Sequence, residues 1–248
     1  MRKLIAGLAC RAKGSRLYAK PLQNLDMDKR LTVLDYIIET LGTIRSIDGI
    51  VLGIAEGNEN LAFVDFAGER GIDYIVGSEK DVLQRLIQCS IKAQGTDLLR
   101  LTTESPYFYF DIIDSAWEDH KKSGNDLTMT NTLPEGSDIQ IFTLDSLQRS
   151  HRFGDDKHRS ELCGLYIREH LSEFNVQILP VPKKLSRSDL RLTVDYPEDL
   201  ILCREVYNHF KKKAPGIPLL NIIKFVDENP TLHELVKQYV SDIDSIKR

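Results

Sequence analysis

The sequence predicts an α/β protein built on a Rossmann-like, mostly parallel sheet flanked by helices, and three observations predict it. Short continuous apolar runs, LIAGLAC at 4–10 and IVLGIA at 50–55, alternate with segments whose apolar residues recur every three or four positions. The first pattern belongs to strands covered on both faces and the second to amphipathic helices lying over them. The two take turns along the first half of the chain, the order that produces right-handed parallel crossovers. The composition, 42% hydrophobic and 28% charged over 248 residues with 15 Gly and 9 Pro, is that of a globular chain and excludes disorder, collagen-like repeats and a membrane bundle.

Leu4 to Cys10 is the first strand. Preceded by Arg2 and Lys3, it imitates the start of a signal peptide, but Arg11 and Lys13 end the run too early to span a membrane, so a buried strand of a cytoplasmic protein is expected. Val33, Leu34, Ile37, Ile38 and Leu41 then mark a helix, Ile50 to Ala55 a second strand, and 58–70, with Leu61, Ala62, Val64, Phe66 and Ala67, a second helix. Tyr74 to Val76 is a third strand, closed by Gly77 and Ser78. Helix over 81–94, strand over 98–102 and helix over 111–122 follow. In the second half, 127–130 and 139–143 are strands around the turn-rich TLPEGSD, a β-hairpin or an excursion from the sheet. The polar stretch 155–170 reads as helical, 176–181 and 192–194 as strands. Pro197 followed by Glu198 and Asp199 opens a helix to about Phe210. Two short C-terminal helices, 219–226 and 232–240, complete a single domain over 1–248.

With 33 Lys and Arg against 37 Asp and Glu the net charge is −4, which argues against electrostatic wrapping of nucleic acid. A small anion held by a local basic cluster is compatible with it. The cysteines Cys10, Cys89, Cys163 and Cys203 lie far apart without CxxC spacing and read as reduced core thiols. His151 and His158 stand near Asp155 and Asp156, but neither HExxH nor HxxxH with a third ligand is present, so surface positions are expected. The loop after the first strand is the most informative stretch: Arg11, Lys13, Arg16 and Lys20 fall within ten residues that contain no acid. Gly14 and Ser15 at its centre leave the backbone N–H groups free to turn toward phosphate oxygens. Phosphoryl transfer is served by fixed cations where charge accumulates. On composition alone a solvated basic loop is the other reading; its place at the carboxyl end of a first buried strand is where α/β proteins bind ligands.

The stretch ACRAKGSRLYAKPL resembles the ARxxSxRLPxKxL signature of the cytidylyltransferase family that includes the acylneuraminate and 3-deoxy-manno-octulosonate enzymes, and the spore-coat polysaccharide branch most of all. Three more segments match that branch in order: GSEKDVLQR (77–85) resembles GxxxDVLxR, RLTTESPY (100–107) resembles RxTGDCPL, and LRLTVDYPEDL (190–200) resembles RxTVDxPEDL. The tail LLNIIKFVDENPTL is similar to the family's last helices. The resemblance implies a nucleotidyltransferase of GT-A-like fold in which an acceptor oxygen attacks the α-phosphorus of CTP and pyrophosphate leaves. It implies Arg11 and Lys20 as the catalytic cations on the phosphates, with Arg16 supporting the loop. Leu8, Ala9, Cys10, Gly14, Ser15 and Thr102, and Ser78, Asp81 and Arg85 of the second block, would line the nucleotide. It implies Mg2+, whose preference for oxygen ligands suits Glu104 and Asp195.

Two positions depart from the pattern. Glu104 stands where the family has Asp; its extra methylene allows it to reach a displaced ion, to coordinate through water, or to have lost the role. Asp195, just before Pro-Glu-Asp, would either bind metal or cap the helix. On the acceptor side LPEGSDIQIF resembles xPxGLDVEVF, with Ser137 in place of Leu, and HRSELCGLYIREH stands where the branch has REHVTxYI. Arg159, Glu161 and Arg191 are the candidate acceptor contacts, against a polar helix that merely faces water or a partner subunit; of the aromatic run 107–110 only Tyr107, beside the TESP turn, joins them. The expected organisation is a nucleotide-binding half (1–124), an acceptor and dimer segment (125–175) and closing strands with a helical tail (176–248), in a cytoplasmic homodimer that takes CTP and a small-molecule acceptor, and no nucleic acid or membrane. Two rivals are a nucleotide-sugar glycosyltransferase, which would carry a DxD cluster where this chain has only Glu104, and a degenerate CTP-binding partner protein.

Overall fold

The structure, a computed structural model, describes residues 1–14 and 16–240. Its strands are β1 (Leu4–Cys10), β2 (Asn24–Asp26), β3 (Leu31–Thr32), β4 (Ile47–Ala55), β5 (Asp73–Gly77), β6 (Asp97–Thr102), β7 (Leu127–Met129), β8 (Gln140–Thr143) and β9 (Val176–Ile178). Its α-helices are α1 (Val33–Leu41), α2 (Leu61–Arg70), α3 (Val82–Lys92), α4 (Ile113–Ser123), α5 (Leu144–Phe153), α6 (Leu165–Glu169), α7 (Pro197–Phe210), α8 (Leu219–Glu228) and α9 (Pro230–Lys237). Seven strands form one sheet in the order β5-β4-β1-β6-β8-β7-β9, and β2 pairs with β3 apart from it. β5, β4, β1 and β6 are mutually parallel, β8 runs antiparallel to β6 and β7, and β9 is parallel to β7. The expected mostly parallel sheet is present, and the expected hairpin, β7 with β8, stands within it.

The apolar run of β1 makes it the centre of the sheet. Alternate residues of a strand point to opposite faces, and here Leu4, Ala6, Leu8 and Cys10 enter one core while Ile5 enters the other. The first core lies against α1, α2, α4, α7 and α8; the second against α3, α5 and α6. Each large aliphatic side chain so buried contributes roughly 1.5–3 kcal/mol. Gly7 interrupts the run because a Cβ there would fall 2.5 Å from Leu98 Cδ1 of the neighbouring strand. α1 begins where Thr32 accepts from the Asp35 N–H at 3.0 Å and Asp35 accepts from the Thr32 N–H at 2.9 Å, a capping box that contributes about 1 kcal/mol.

Several expectations shift. Residues 155–170 form only a 3-10 turn, Asp156–Arg159, and the short α6, because Asp155 caps the turn on Lys157 and His158 and Gly164 stands immediately before α6. The helix of this region is α5 instead. Its buried stripe includes Ser146 and Ser150, whose hydroxyls bond to the Asp126 and Ser146 carbonyls, so apolar periodicity does not reveal it. Residues 192–194 form no strand. Arg191 makes a single bridge with Glu135, and the next N–H groups turn to two different loops, Leu192 to the Glu135 carbonyl at 2.8 Å and Val194 to the Glu104 carbonyl at 2.9 Å. Among the described residues no helix is long and apolar enough to cross a membrane.

Candidate active site

The chain leaves β1 for β4 and β5 on one side and returns to β6 on the other, so the topological switch lies between the carboxyl ends of β1 and β6. A crevice opens there in sheets of this kind. Two of the sequence's polar clusters fall on it: the loop that follows Cys10, with Arg11, Lys13, Arg16 and Lys20, and the turn that follows Thr102, with Glu104. Ser15 lies outside the described residues.

The basic loop is held at both ends. The Ala12 N–H donates to Asn60 Oδ1 at 2.7 Å, and the Ala19 N–H returns to the Ala12 carbonyl at 2.7 Å. Gly14 allows the closure, since a Cβ there would lie 2.3 Å from the Leu17 carbonyl oxygen. Arg11, Lys13 and Arg16 are exposed, whereas Lys20 is half-buried.

The turn after β6 is strapped to its surroundings by hydroxyls. Thr103 Oγ1 donates to the Ala9 carbonyl at 3.1 Å, and Thr102 Oγ1, Ser105 Oγ and Thr193 Oγ1 form a chain with links of 2.6 and 2.9 Å. With the Val194 N–H bonded to the Glu104 carbonyl, this chain brings Glu104 beside Asp195. Asp195 is the electrostatic hub. Lys20 Nζ and Arg191 Nη2 contact its two carboxylate oxygens directly, and Arg16 Nη2 lies 3.6 Å away. Burial acts to raise the Asp195 carboxyl, but the Lys20 hydrogen bond and the charges of Lys20, Arg191 and Arg16 outweigh it and hold the group below the usual carboxylate range. Glu104 goes the other way: burial, and then the charge of Asp195, push its carboxyl up, with Lys20 opposing. Capping of α7 falls to Asp199, which accepts from the Asp195 and Tyr196 N–H groups at 2.8 and 2.9 Å. Asp195 is thereby free of the capping role that the sequence left open to it.

The remaining sequence candidates divide into those on the crevice and those that build its walls. Arg85 is 2% exposed and its Nη1 donates to the Cys10 and Gly53 carbonyls at 3.0 and 2.8 Å, supporting the ends of β1 and β4 from beneath. Ser78 and Asp81 start α3: the Asp81 N–H bonds to Ser78 Oγ at 3.3 Å, and Asp81 accepts from the Gln84 N–H at 2.8 Å and pairs with His151 at 2.8 Å. Leu8 and Cys10 are core residues and burial pushes the Cys10 thiol up, while Ala9 and Thr102 are partly open. Tyr107, expected at the acceptor, is 2% exposed and donates its hydroxyl to the Cys203 carbonyl at 2.6 Å. Arg191, also expected there, is 3% exposed and surrounded by Glu135, Asp195 and Asp199. Their burial gives both a supporting place behind the site. Arg159 turns to the His151 carbonyl at 3.3 Å. Of the acceptor candidates Glu161 faces the basic loop, exposed and 3.9 Å from Arg11, and its carbonyl accepts from Arg100 at 2.9 Å. Among the described residues no group of three or more His, Cys, Asp or Glu could hold a metal, and His158 is buried between Asp155 and Glu169, each at 2.8 Å, where a surface position was expected.

Sequence reasoning missed Tyr196. Its hydroxyl accepts from Arg16 Nη1 at 3.2 Å and its ring lies 4.7 Å from the Arg16 guanidinium. It also missed Glu135, Arg191's partner across the hairpin turn. A charged residue between Pro134 and Gly136 was visible, but no local pattern announces a pairing 56 residues away.

No protein-family model matches the chain. An uncharacterized protein of Methanocaldococcus jannaschii is 29% identical over 233 residues, 94% of each chain. The spore coat polysaccharide biosynthesis protein SpsF of Bacillus subtilis is 22% identical over 233 residues, 93% of this chain and 96% of its own. A cytidylyltransferase structure from Leptospira borgpetersenii aligns with a TM-score of 0.83 at 21% identity, over 94% of this chain and 97% of that one. CMP:2-keto-3-deoxy-manno-octonic acid synthetase, in complex with CTP, aligns with a TM-score of 0.63 at 14% identity, over 84% and 99%. The resemblance carried by the four motifs is borne out, and the chain has the nucleotidyltransferase fold in the form that cytidylyltransferases take.

Proposed function

We propose that this protein is a magnesium-dependent cytidylyltransferase that transfers CMP from CTP to a sugar or sugar-acid-like acceptor, with release of pyrophosphate, in surface polysaccharide or glycan biosynthesis. The observation that carries the reading is the convergence, at the switch point of a cytidylyltransferase-like sheet, of the Arg11–Lys20 basic loop with the Glu104 and Asp195 carboxylates. Similarity to SpsF over nearly the whole chain supports the glycan context.

In the reaction an acceptor oxygen forms a bond to the α-phosphorus as the bond to the β-phosphate bridging oxygen breaks, and negative charge accumulates on the departing pyrophosphate. Arg11 and Lys20 neutralise that charge, Arg11 as a fork on two oxygens and Lys20 as a point charge. Arg16 and Lys20 contact Asp195, and so would bring the phosphates beside that acid. The donor set fits a divalent, oxygen-seeking cation: Glu104 and Asp195 on adjoining segments would hold it, and its charge would offset the effect of burial and of Asp195 that raises the Glu104 carboxyl. When bound, Mg2+ would polarise the α-phosphoryl group. Arg85 and Thr103 keep the strand ends on which these groups stand in place.

A homodimer is part of the same reading. The segment assigned to acceptor and dimer contacts carries exposed Phe153, Leu162 and Leu171, with Ile178 on the edge strand β9 just beyond it. The cytoplasm supplies CTP and suits four free cysteines. Pyrophosphate release from CTP, measured with a panel of 2-keto sugar acids, phosphosugars and phosphonates, tests the activity and names the acceptor; no release with any acceptor, although CTP binds, would favour a degenerate CTP-binding protein.

A further inference from the structure

Tyr239 lies just beyond α9, far along the chain from the basic loop and the Glu104 turn, yet it reaches the site. Its ring stacks on Tyr196 with centroids 3.8 Å apart and planes 11° from parallel. Its carbonyl accepts from Arg191 Nη1 at 3.4 Å. Tyr196 in turn gives Arg16 a hydroxyl acceptor at 3.2 Å and a ring face at 4.7 Å, and Arg191 holds Asp195. The segment is itself anchored: Val236, on α9, is fully buried, and the Tyr239 N–H bonds back to the Val236 carbonyl at 2.9 Å.

Arg16 needs such support. It projects from an exposed loop on a long side chain whose ordering costs rotamer freedom, and it contacts Tyr196 and Asp195. An arginine can fork onto two phosphate oxygens only when its plane is set. Tyr196 alone is partly exposed at the start of α7; the parallel ring of Tyr239 fixes its tilt.

We infer that Tyr239 is a positioning residue of the phosphate site, acting through Tyr196 on Arg16. The inference rests on the proposed function for the identity of the phosphate ligand. The stretch from α9 to Tyr239 is then part of the active site, and α9 serves to deliver one ring.

Calorimetric titration with inorganic tripolyphosphate in the presence of Mg2+ tests it, since this probe has the phosphates and lacks the base. Y239A is expected to bind it about fivefold more weakly than wild type, the worth of one aromatic stack, and Y239F, which keeps the ring, to restore the affinity. In R16A the further change Y239A should have no added effect. Wild-type affinity in a folded Y239A, or additive losses in R16A/Y239A, would overturn the inference. Should Y239A lose its fold by circular dichroism, Y239L, which keeps side-chain bulk but removes the stacking ring, carries the same test: a loss that disappears in R16A supports the coupling and an unchanged affinity overturns it. A fivefold loss in Y239A without any preference for CTP over other nucleoside triphosphates would refute the cytidylyl reading and leave the positioning role standing; a CTP preference with Y239A equal to wild type would do the reverse.

Discussion

Replacing Arg191 by Met keeps most of the side chain's volume and removes its charge. Arg191 is 3% exposed, and its guanidinium lies 3.0 Å from Asp199 and directly contacts Glu135 and Asp195. Removing one partner of a buried ion pair costs about 3–5 kcal/mol, because the other is left buried and uncompensated. For a chain of this size each kcal/mol moves the melting temperature by about 2–4 °C, so R191M should melt about 10 °C below wild type. The pH dependence has a definite sign. The Asp195 carboxyl is held below its ordinary value, so it contributes stability above the unfolded value, about 3.9, that is lost as pH falls through the folded one. R191M takes away one of the cations responsible. The gap between wild type and variant is therefore full at neutral pH and narrows as the pH drops below about 4. Thermal melts followed by circular dichroism across that range measure it. An R191M that melts within about 2 °C of wild type, with only acceptor KM raised, would refute the buried-network account and return Arg191 to the acceptor contacts expected from the sequence.

R11A and K20A should each lower pyrophosphate release from CTP by about 100- to 1000-fold while far-ultraviolet circular dichroism is unchanged; wild-type rates in either would remove the catalytic assignment. Glu104 has a raised carboxyl, so its ionised form costs stability at neutral pH, a penalty that disappears as pH falls below the unfolded value of about 4.3. E104Q should accordingly raise the melting temperature at neutral pH by about 2 °C, have no such effect in acid, and reduce metal-dependent turnover at least about 100-fold. A turnover close to wild type would show that Glu104 has no part in holding the metal.

The sheet was legible because its physics is local in the chain. Leu4–Cys10 and Ile50–Ala55 could only be doubly covered strands, and the helices α1 and α7 were announced by an apolar stripe and by Pro197 with two acids. Where burial is carried by polar groups the sequence is silent. α5 was hidden because serines line its inner face and satisfy themselves on carbonyls. The candidate site was legible as charged clusters, since the Arg11 to Lys20 loop and Glu104 stand just after strands and Asp195 lies in the block that opens α7. Which charge faces solvent was not. Arg191 and Arg159 look alike in the sequence; Asp195 and Asp199 follow Arg191 closely, but its burial, completed by Glu135 56 positions away, comes from long-range packing. Tyr196 and Tyr239, 43 positions apart, meet through the packing of α9 on α7, which no periodicity or spacing encodes.

The central claim is that the basic loop and the paired carboxylates form a site for CTP with a divalent cation. Its most direct test is calorimetric titration of the wild-type protein with CTP, ATP, GTP and UTP, each with Mg2+. Tighter binding of CTP than of the other three, lost in R11A and K20A, is the predicted result; failure to bind CTP, or equal affinity for all four, would contradict it.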